Sequence, residues 1–139
     1  MKRFIISGLC AFVLLLIPAA VPGADMDGNK MEVQNSSKGI PYVSGGIGTG
    51  ERDILKKMMP DFNLKLVFAL EDGSYLSGCS VQIYDHTGKK VLSSRTEGPW
   101  MLADLPGGQY RIKAGYENGW QTQTVTVTRT KLLQIFYHW

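Results

Sequence analysis

From Asn63 to the C-terminus, apolar residues recur at every second position. Leu64, Leu66, Phe68 and Leu70 alternate with Asn63, Lys65, Val67 and Ala69. Val81 and Ile83 alternate with Gln82 and Tyr84. Tyr110, Ile112, Ala114 and Tyr116 alternate with Arg111, Lys113 and Gly115. Val125 and Val127 alternate with Thr124, Thr126 and Thr128, and Leu133, Ile135, Tyr137 and Trp139 with Gln134, Phe136 and His138. A period of two places one set of side chains on each face of a strand. Turn-forming clusters separate the runs: Glu71-Asp72-Gly73-Ser74, His86-Thr87-Gly88-Lys89, Glu97-Gly98-Pro99, Pro106-Gly107-Gly108 and Glu117-Asn118-Gly119. The pattern predicts seven strands, at 63–70, 79–85, 89–95, 99–104, 109–116, 120–128 and 131–138. Short alternating strands spaced by such turns predict an all-β antiparallel sandwich of Greek-key type over residues 61–139.

The period changes upstream. Ile54, Leu55, Met58 and Met59 form one apolar stripe at helical spacing. Glu51 and Asp53 fall in the first turn and Lys56 and Lys57 in the last, which suits the helix dipole. An amphipathic helix is expected over 49–60, with Thr49 as N-cap and Pro60 as its stop. The stripe is a candidate contact face; the short Pro60-Asp61-Phe62 tether directs it onto the sandwich. Residues 24–48 are polar and rich in Gly, Ser and Asn, with a small apolar patch at Ile40, Tyr42 and Val43. They read as a flexible linker.

The first 23 residues have another character. Lys2 and Arg3 precede the unbroken apolar run Leu9–Ile17, and small residues follow Pro18. This is the pattern of a cleaved secretory signal, and the run is too short for a membrane anchor. The expected destination is the periplasm, with the extracellular medium as the alternative.

Charge then reads differently. The chain carries 15 basic and 12 acidic residues, a net of +3. Cleavage removes Lys2 and Arg3 and no acid, leaving 13 against 12 and a net of +1. That near-neutral balance gives no electrostatic case for nucleic acid. Of the 2 cysteines, Cys10 lies in the signal, so the mature chain keeps Cys79 alone and forms no internal disulfide.

Four segments in order resemble the carboxypeptidase regulatory-like domain, a transthyretin-like (prealbumin-like) sandwich. They are Leu76-Ser77-Gly78-Cys79-Ser80-Val81, Asp85-His86-Thr87-Gly88-Lys89, Thr96-Glu97-Gly98-Pro99-Trp100 and Leu105-Pro106-Gly107-Gly108-Gln109-Tyr110. The third carries one inserted Pro. In the fourth, Gly107 stands where the family has a second Pro. The lead Tyr42–Gly48 is similar to that of small exported bacterial proteins carrying this domain. The resemblance implies a seven-strand Greek-key fold in which Leu105, Pro106, Gly108 and Tyr110 are a folding signature. It implies no catalytic site, because the family's peptidase relatives keep their zinc in a separate domain.

Candidate chemistry is sparse. Gly45-Gly46-Ile47-Gly48-Thr49-Gly50 precedes a helix, but no predicted strand leads into it and the Lys-Ser/Thr ending of a phosphate loop is missing. His86 and His138 are too few and too far apart for a zinc site, and both read as solvated. No Gly-x-Ser-x-Gly elbow occurs in the mature chain. Lys65 sits on the first strand, where related sandwiches form a Lys–Asn crosslink. The last strand offers no Asn or Asp, so Lys65 reads as exposed or snorkelling. The aromatics Trp100, Trp120, Trp139, Tyr75, Tyr84, Tyr116 and Phe136 are many for a small domain. Of these, Tyr84, Trp100, Tyr116 and Trp120 are the candidate sugar-stacking platform. The sequence therefore reads as a monomeric, non-catalytic, exported module that binds or braces an envelope protein or a glycan, with no cofactor. A carbohydrate-binding module is the first alternative and a small hydrolase the remote one.

Overall fold

The computed structural model describes residues 31–139. The expected signal at 1–23, and the linker as far as residue 30, lie outside them. Among the described residues nine strands form two sheets: β1 (Gln34–Asn35), β2 (Pro41–Gly45), β3 (Leu64–Ala69), β4 (Ser80–Tyr84), β5 (Lys90–Arg95), β6 (Trp100–Ala103), β7 (Gly108–Tyr116), β8 (Gly119–Val127) and β9 (Leu133–His138). One sheet has the order β1-β2-β6-β3-β9 and the other β5-β4-β7-β8. Helix α1 (Gly48–Met58) and a 3-10 turn (Met59–Asp61) connect β2 to β3.

The inward residues of both sheets meet in one core. Leu64, Leu66, Phe68, Met101, Ile135 and Tyr137 of the larger sheet pack with Val81, Ile83, Leu92, Ile112, Ala114 and Val127 of the smaller. All seven alternating runs form strands within a residue or two of their expected limits. The count of seven is corrected to nine by β1 and β2, and the wholly antiparallel arrangement by β9, which runs parallel to β3. A parallel neighbour needs a crossover rather than a hairpin. Here β9 follows β8 of the opposite sheet and crosses between layers, a choice that alternation does not encode.

The flexible-linker reading is also corrected over 34–45. β2 pairs antiparallel with β6, Val43 opposite Leu102, and β1 pairs with β2. Ser36 donates from its hydroxyl to the Val91 carbonyl of the other sheet (2.7 Å), and Ser44 Oγ accepts from the Glu97 amide (3.0 Å). Gly98 explains the tight approach, because a Cβ there would run into the backbone of Gly45. The segment lacks strong alternation because its strands are short and one is an edge; pairing with β6 supplies their order.

Asn63 fixes the start of β3. It is buried, its amide group donates to the Leu105 carbonyl (2.7 Å), and its Oδ1 accepts from the Leu105 amide (2.9 Å). Leu105 thus sits locked at the end of β6 before the Pro106–Gly108 reversal. Gly108 adopts φ +158°, at the limit of the region L-residues rarely enter. Tyr110 then turns into the core, and its hydroxyl donates to the Pro106 carbonyl at 2.6 Å. The signature is a closed turn with its ring anchored on both sides.

The other resembling segments are also turn devices. Asp85 Oδ1 accepts from the amides of Thr87 (2.9 Å) and Lys89 (3.0 Å) and from the Thr87 hydroxyl. Thr96 is buried, and its Oγ1 accepts from the Cys79 amide at 3.0 Å.

Tyr110→Phe keeps the ring and removes one hydrogen bond, so unfolding free energy should fall by about 1 kcal/mol. Tyr110→Ala removes the ring and should cost about 3–5 kcal/mol. Urea denaturation checks both; an unchanged midpoint for the alanine variant would contradict the anchored-ring account.

Candidate functional site

The outer face of the larger sheet is divided between a covered half and an open half. Leu55, fully buried, packs from α1 with Val43, Phe62, Val67, Trp100 and Leu102, joined by the half-buried Met58 and Met59. Ile54 of the same stripe is half-buried outside that cluster. The helix therefore shields β2, β6 and part of β3. Its start differs from expectation: Ile47, not Thr49, is the N-cap, and no side chain of its own caps it. Glu51 does the capping, its Oε2 accepting from the amides of Gly46 (2.9 Å) and Ile47 (2.8 Å). A carboxylate thus sits at the helix entrance, on the amides just before its first turn.

The open half lies over β3 and β9, and strand register builds it. Val67 sits between Trp100 of β6 and Phe136 of β9. Ala69 sits between Tyr75, which forms an isolated bridge with it, and His138 of β9. Lys65 sits between Leu102 and Gln134. Small residues on the central strand therefore make a floor, and aromatic residues on its neighbours make two walls. Those neighbours are two strand spacings apart, about 9.5 Å. The result is a groove of about 280 Å³ lined by Lys65, Val67, Ala69, Gly73, Tyr75, Trp100, Gln134, Phe136 and His138. Tyr75 and Phe136 are each about half exposed, at 53% and 52%, so their rings offer free surface to a ligand. Phe136 and His138 stack with centroids 6.3 Å apart and planes 14° from parallel. On the far side of Tyr75, Arg52 lies with its guanidinium 5.5 Å from the ring centroid and donates to the Gly46 carbonyl (2.9 Å). Tyr75 is thereby held as a wall.

Lys65 closes one end of the groove. Of the two expected readings, exposed or snorkelling, the first is corrected: the residue is only 6% exposed, while its Nζ still reaches solvent. Its Nζ lies 3.6 Å from the centroid of the Trp100 ring, a close cation–π contact. No carboxylate pairs with it among the described residues. Burial lowers its pKa, and the Lys56 charge lowers it further.

The four residues expected to form one platform are not brought together. Trp100 is nearly buried on the larger sheet, whereas Tyr84, Tyr116 and Trp120 belong to the smaller. Tyr116 packs against Trp139, with ring centroids 6.0 Å apart. Tyr84 stands opposite Arg111 and Trp120 opposite Gly115, four residues further along β7 and so about 14 Å away. Tyr84 has Arg111 at 4.9 Å and Lys90 at 5.9 Å from its ring centroid. Trp120 lies on Gly115, where a Cβ would come within 2.8 Å of the indole, and Lys113 sits 5.0 Å from its ring centroid. These rings seat cations on a polar sheet face. Tyr75, Phe136 and His138 form the open aromatic cluster instead. The signal for it was the outward alternation of Phe136 and His138, readable only once β9 is known to lie beside β3.

The remaining reactive groups are quiet. Cys79 is fully buried, and burial pushes its thiol up to about 11, so it is protonated at neutral pH. Among the described residues, no three His, Cys, Asp or Glu side chains converge as a metal ion would require. The chain matches no protein-family model and no curated protein.

Two outcomes follow. Alkylation of the native protein near neutral pH, read by peptide mapping, should leave Cys79 unmodified, and urea should expose it; modification of the folded state would contradict its burial. Lys65 has a folded pKa below its unfolded value, so its charge opposes folding while it is protonated. That cost is relieved as pH climbs through the lowered pKa toward about 10.4. Wild-type stability relative to Lys65→Met should therefore rise over that interval, measured by urea titration of both proteins at each pH. A flat difference would show that the ammonium is solvated.

Proposed function

We propose that this chain is an exported, non-catalytic binding module of the cell envelope, and that the groove over β3 and β9 takes a glycan. The observation that carries the reading is the pair of half-exposed rings, Tyr75 beside Ala69 and Phe136 beside Val67, set diagonally on the two sides of that small-residue floor. Aromatic walls on a rigid sheet suit the apolar face of a sugar ring, and Gln134 and His138 add hydrogen-bonding groups at the rim. At about 280 Å³ the groove lies just below the usual range for small-molecule sites, which fits one ring or a chain end.

The finer fold reading belongs with this proposal. The core strands β3–β9 would be a carboxypeptidase regulatory-like, transthyretin-like Greek-key sandwich, with β1 and β2 as an N-terminal addition. Its support is that the four resembling segments occupy turns and strand starts, two of them closed by internal hydrogen bonds and the other two tied together by the Cys79–Thr96 bond. Export rests on the N-terminal sequence pattern. No helix among the described residues is long and apolar enough to cross a membrane.

Binding of the protein to a panel of immobilised oligosaccharides should identify at least one ligand. Phe136→Ala or Tyr75→Ala should weaken it about tenfold. Trp120→Ala, on the other sheet, should leave it unchanged. Absence of binding across the panel, or loss of binding only in the Trp120 variant, would overturn the groove as the site.

A further inference from the structure

We propose that the groove selects an acidic sugar of the uronate class, with the ring seated between Tyr75 and Phe136 and its carboxylate accepting from Lys65 Nζ. The inference rests on the glycan reading above and adds its chemical class.

An ammonium carries three N–H donors and no acceptor. Most of the Lys65 side chain is buried, but its Nζ is still reached by solvent and makes no hydrogen bond or ion pair among the described residues. The Trp100 ring occupies one side of the charge at 3.6 Å. A π face attracts the cation but accepts no directed N–H bond of ordinary strength. Because Lys65 lines the groove, a ligand acceptor entering there would replace water on its free N–H donors.

The neighbouring charges point the same way. Lys56 is close enough to lower the Lys65 pKa, and Arg52 lies behind Tyr75. Asp53 is engaged with Lys56 at 3.6 Å. Asp72, in the turn beside Gly73, is directed at the Ser74 amide (2.8 Å). Glu51 is spent on the helix cap. The potential at the buried end of the groove is therefore positive, without a carboxylate of the protein's own to neutralise it. A low local dielectric strengthens attraction to an entering anion.

Charge number and shape narrow the class. Lys65 is the ammonium that lines the groove, so a single charge can be met there by direct contact, whereas the second charge of a phosphate would be met only at a distance, over an apolar floor. The floor of Val67 and Ala69 and the aromatic walls require that the anion be attached to a flat, partly apolar body. A pyranose bearing one carboxylate has both features.

Calorimetric titration of the protein with a glucuronate-ended disaccharide and with its neutral glucose-ended counterpart tests this directly. The acidic sugar should bind about tenfold more tightly or better, as expected for a hydrogen bond between charged groups. Lys65→Met, which keeps an apolar stem over Trp100, should bind the two sugars equally. Equal affinity of the wild type for both sugars, or a preference that survives in Lys65→Met, would overturn the acidic-sugar inference while leaving the glycan reading standing. Binding of neither sugar, in a protein that does bind a peptide ending in a free carboxylate, would overturn both. If Lys65→Met does not fold, the wild-type comparison still decides. NMR of the Lys65 side chain should then show a shift on adding the acidic sugar and none with the neutral one.

Discussion

Strand β3 is buried on both faces along its whole length, and this condition organises the molecule. All six residues from Leu64 to Ala69 are within the core. Leu64, Leu66 and Phe68 meet the opposite sheet, while Lys65 and Val67 meet Trp100 and the cover from α1. A central strand in a two-layer protein has one face to spare, and an apolar face left in water costs free energy in proportion to its area. The chain resolves this by folding its N-terminal portion back: β2 extends the sheet, α1 lies across it, and the 3-10 turn delivers the chain into β3. The helix is a lid on a strand more than an independent element.

The lid is shorter than the face beneath it. Eleven residues span about 16 Å, enough for β2, β6 and one side of β3. What remains open, over β3 and β9, becomes the groove. Its lining follows from the same register that builds the sheet, since Val67 and Ala69 are flanked on both sides by larger residues. Groove and core are thus two consequences of one strand's composition. Lys65 is the point where they conflict. A charge on the covered face loses hydration, and Trp100 returns part of that loss through its ring. Retaining a lysine where an apolar residue would pack more cheaply is the kind of local inconsistency that marks functional positions.

Cations and rings recur on the opposite sheet with a different outcome. Arg111, Lys90 and Lys113 lie over Tyr84 and Trp120 at 4.9 to 5.9 Å. There the side chains are accessible on a polar face, so each contact is weak and the charges remain hydrated. Trp120, half exposed, lies on Gly115, and Tyr84 is attended by two cations, so neither ring shares a groove with the aromatics of the larger sheet.

Much of the architecture was legible because it depends on local chemistry. The seven alternating runs, the Asp85 and Leu105–Tyr110 turns, the inward Tyr110 and the helix with Leu55 on its apolar stripe all follow from side-chain periodicity and backbone preference, which act over a few residues. Strands β1 and β2 were hidden because their pairing is set by β6, some sixty residues away, and by the contact of Gly98 with Gly45. The parallel placement of β9 beside β3 was hidden for the same reason. That placement brings Phe136 and His138 opposite Tyr75 and Trp100, and it turns Lys65 from an expected surface residue into the buried end of a groove. Periodicity tells each residue which face of its own strand it occupies. Which strand lies alongside, and so what each side chain meets there, is decided only when distant segments pair, because that free energy belongs to the assembled sheet and to no segment alone.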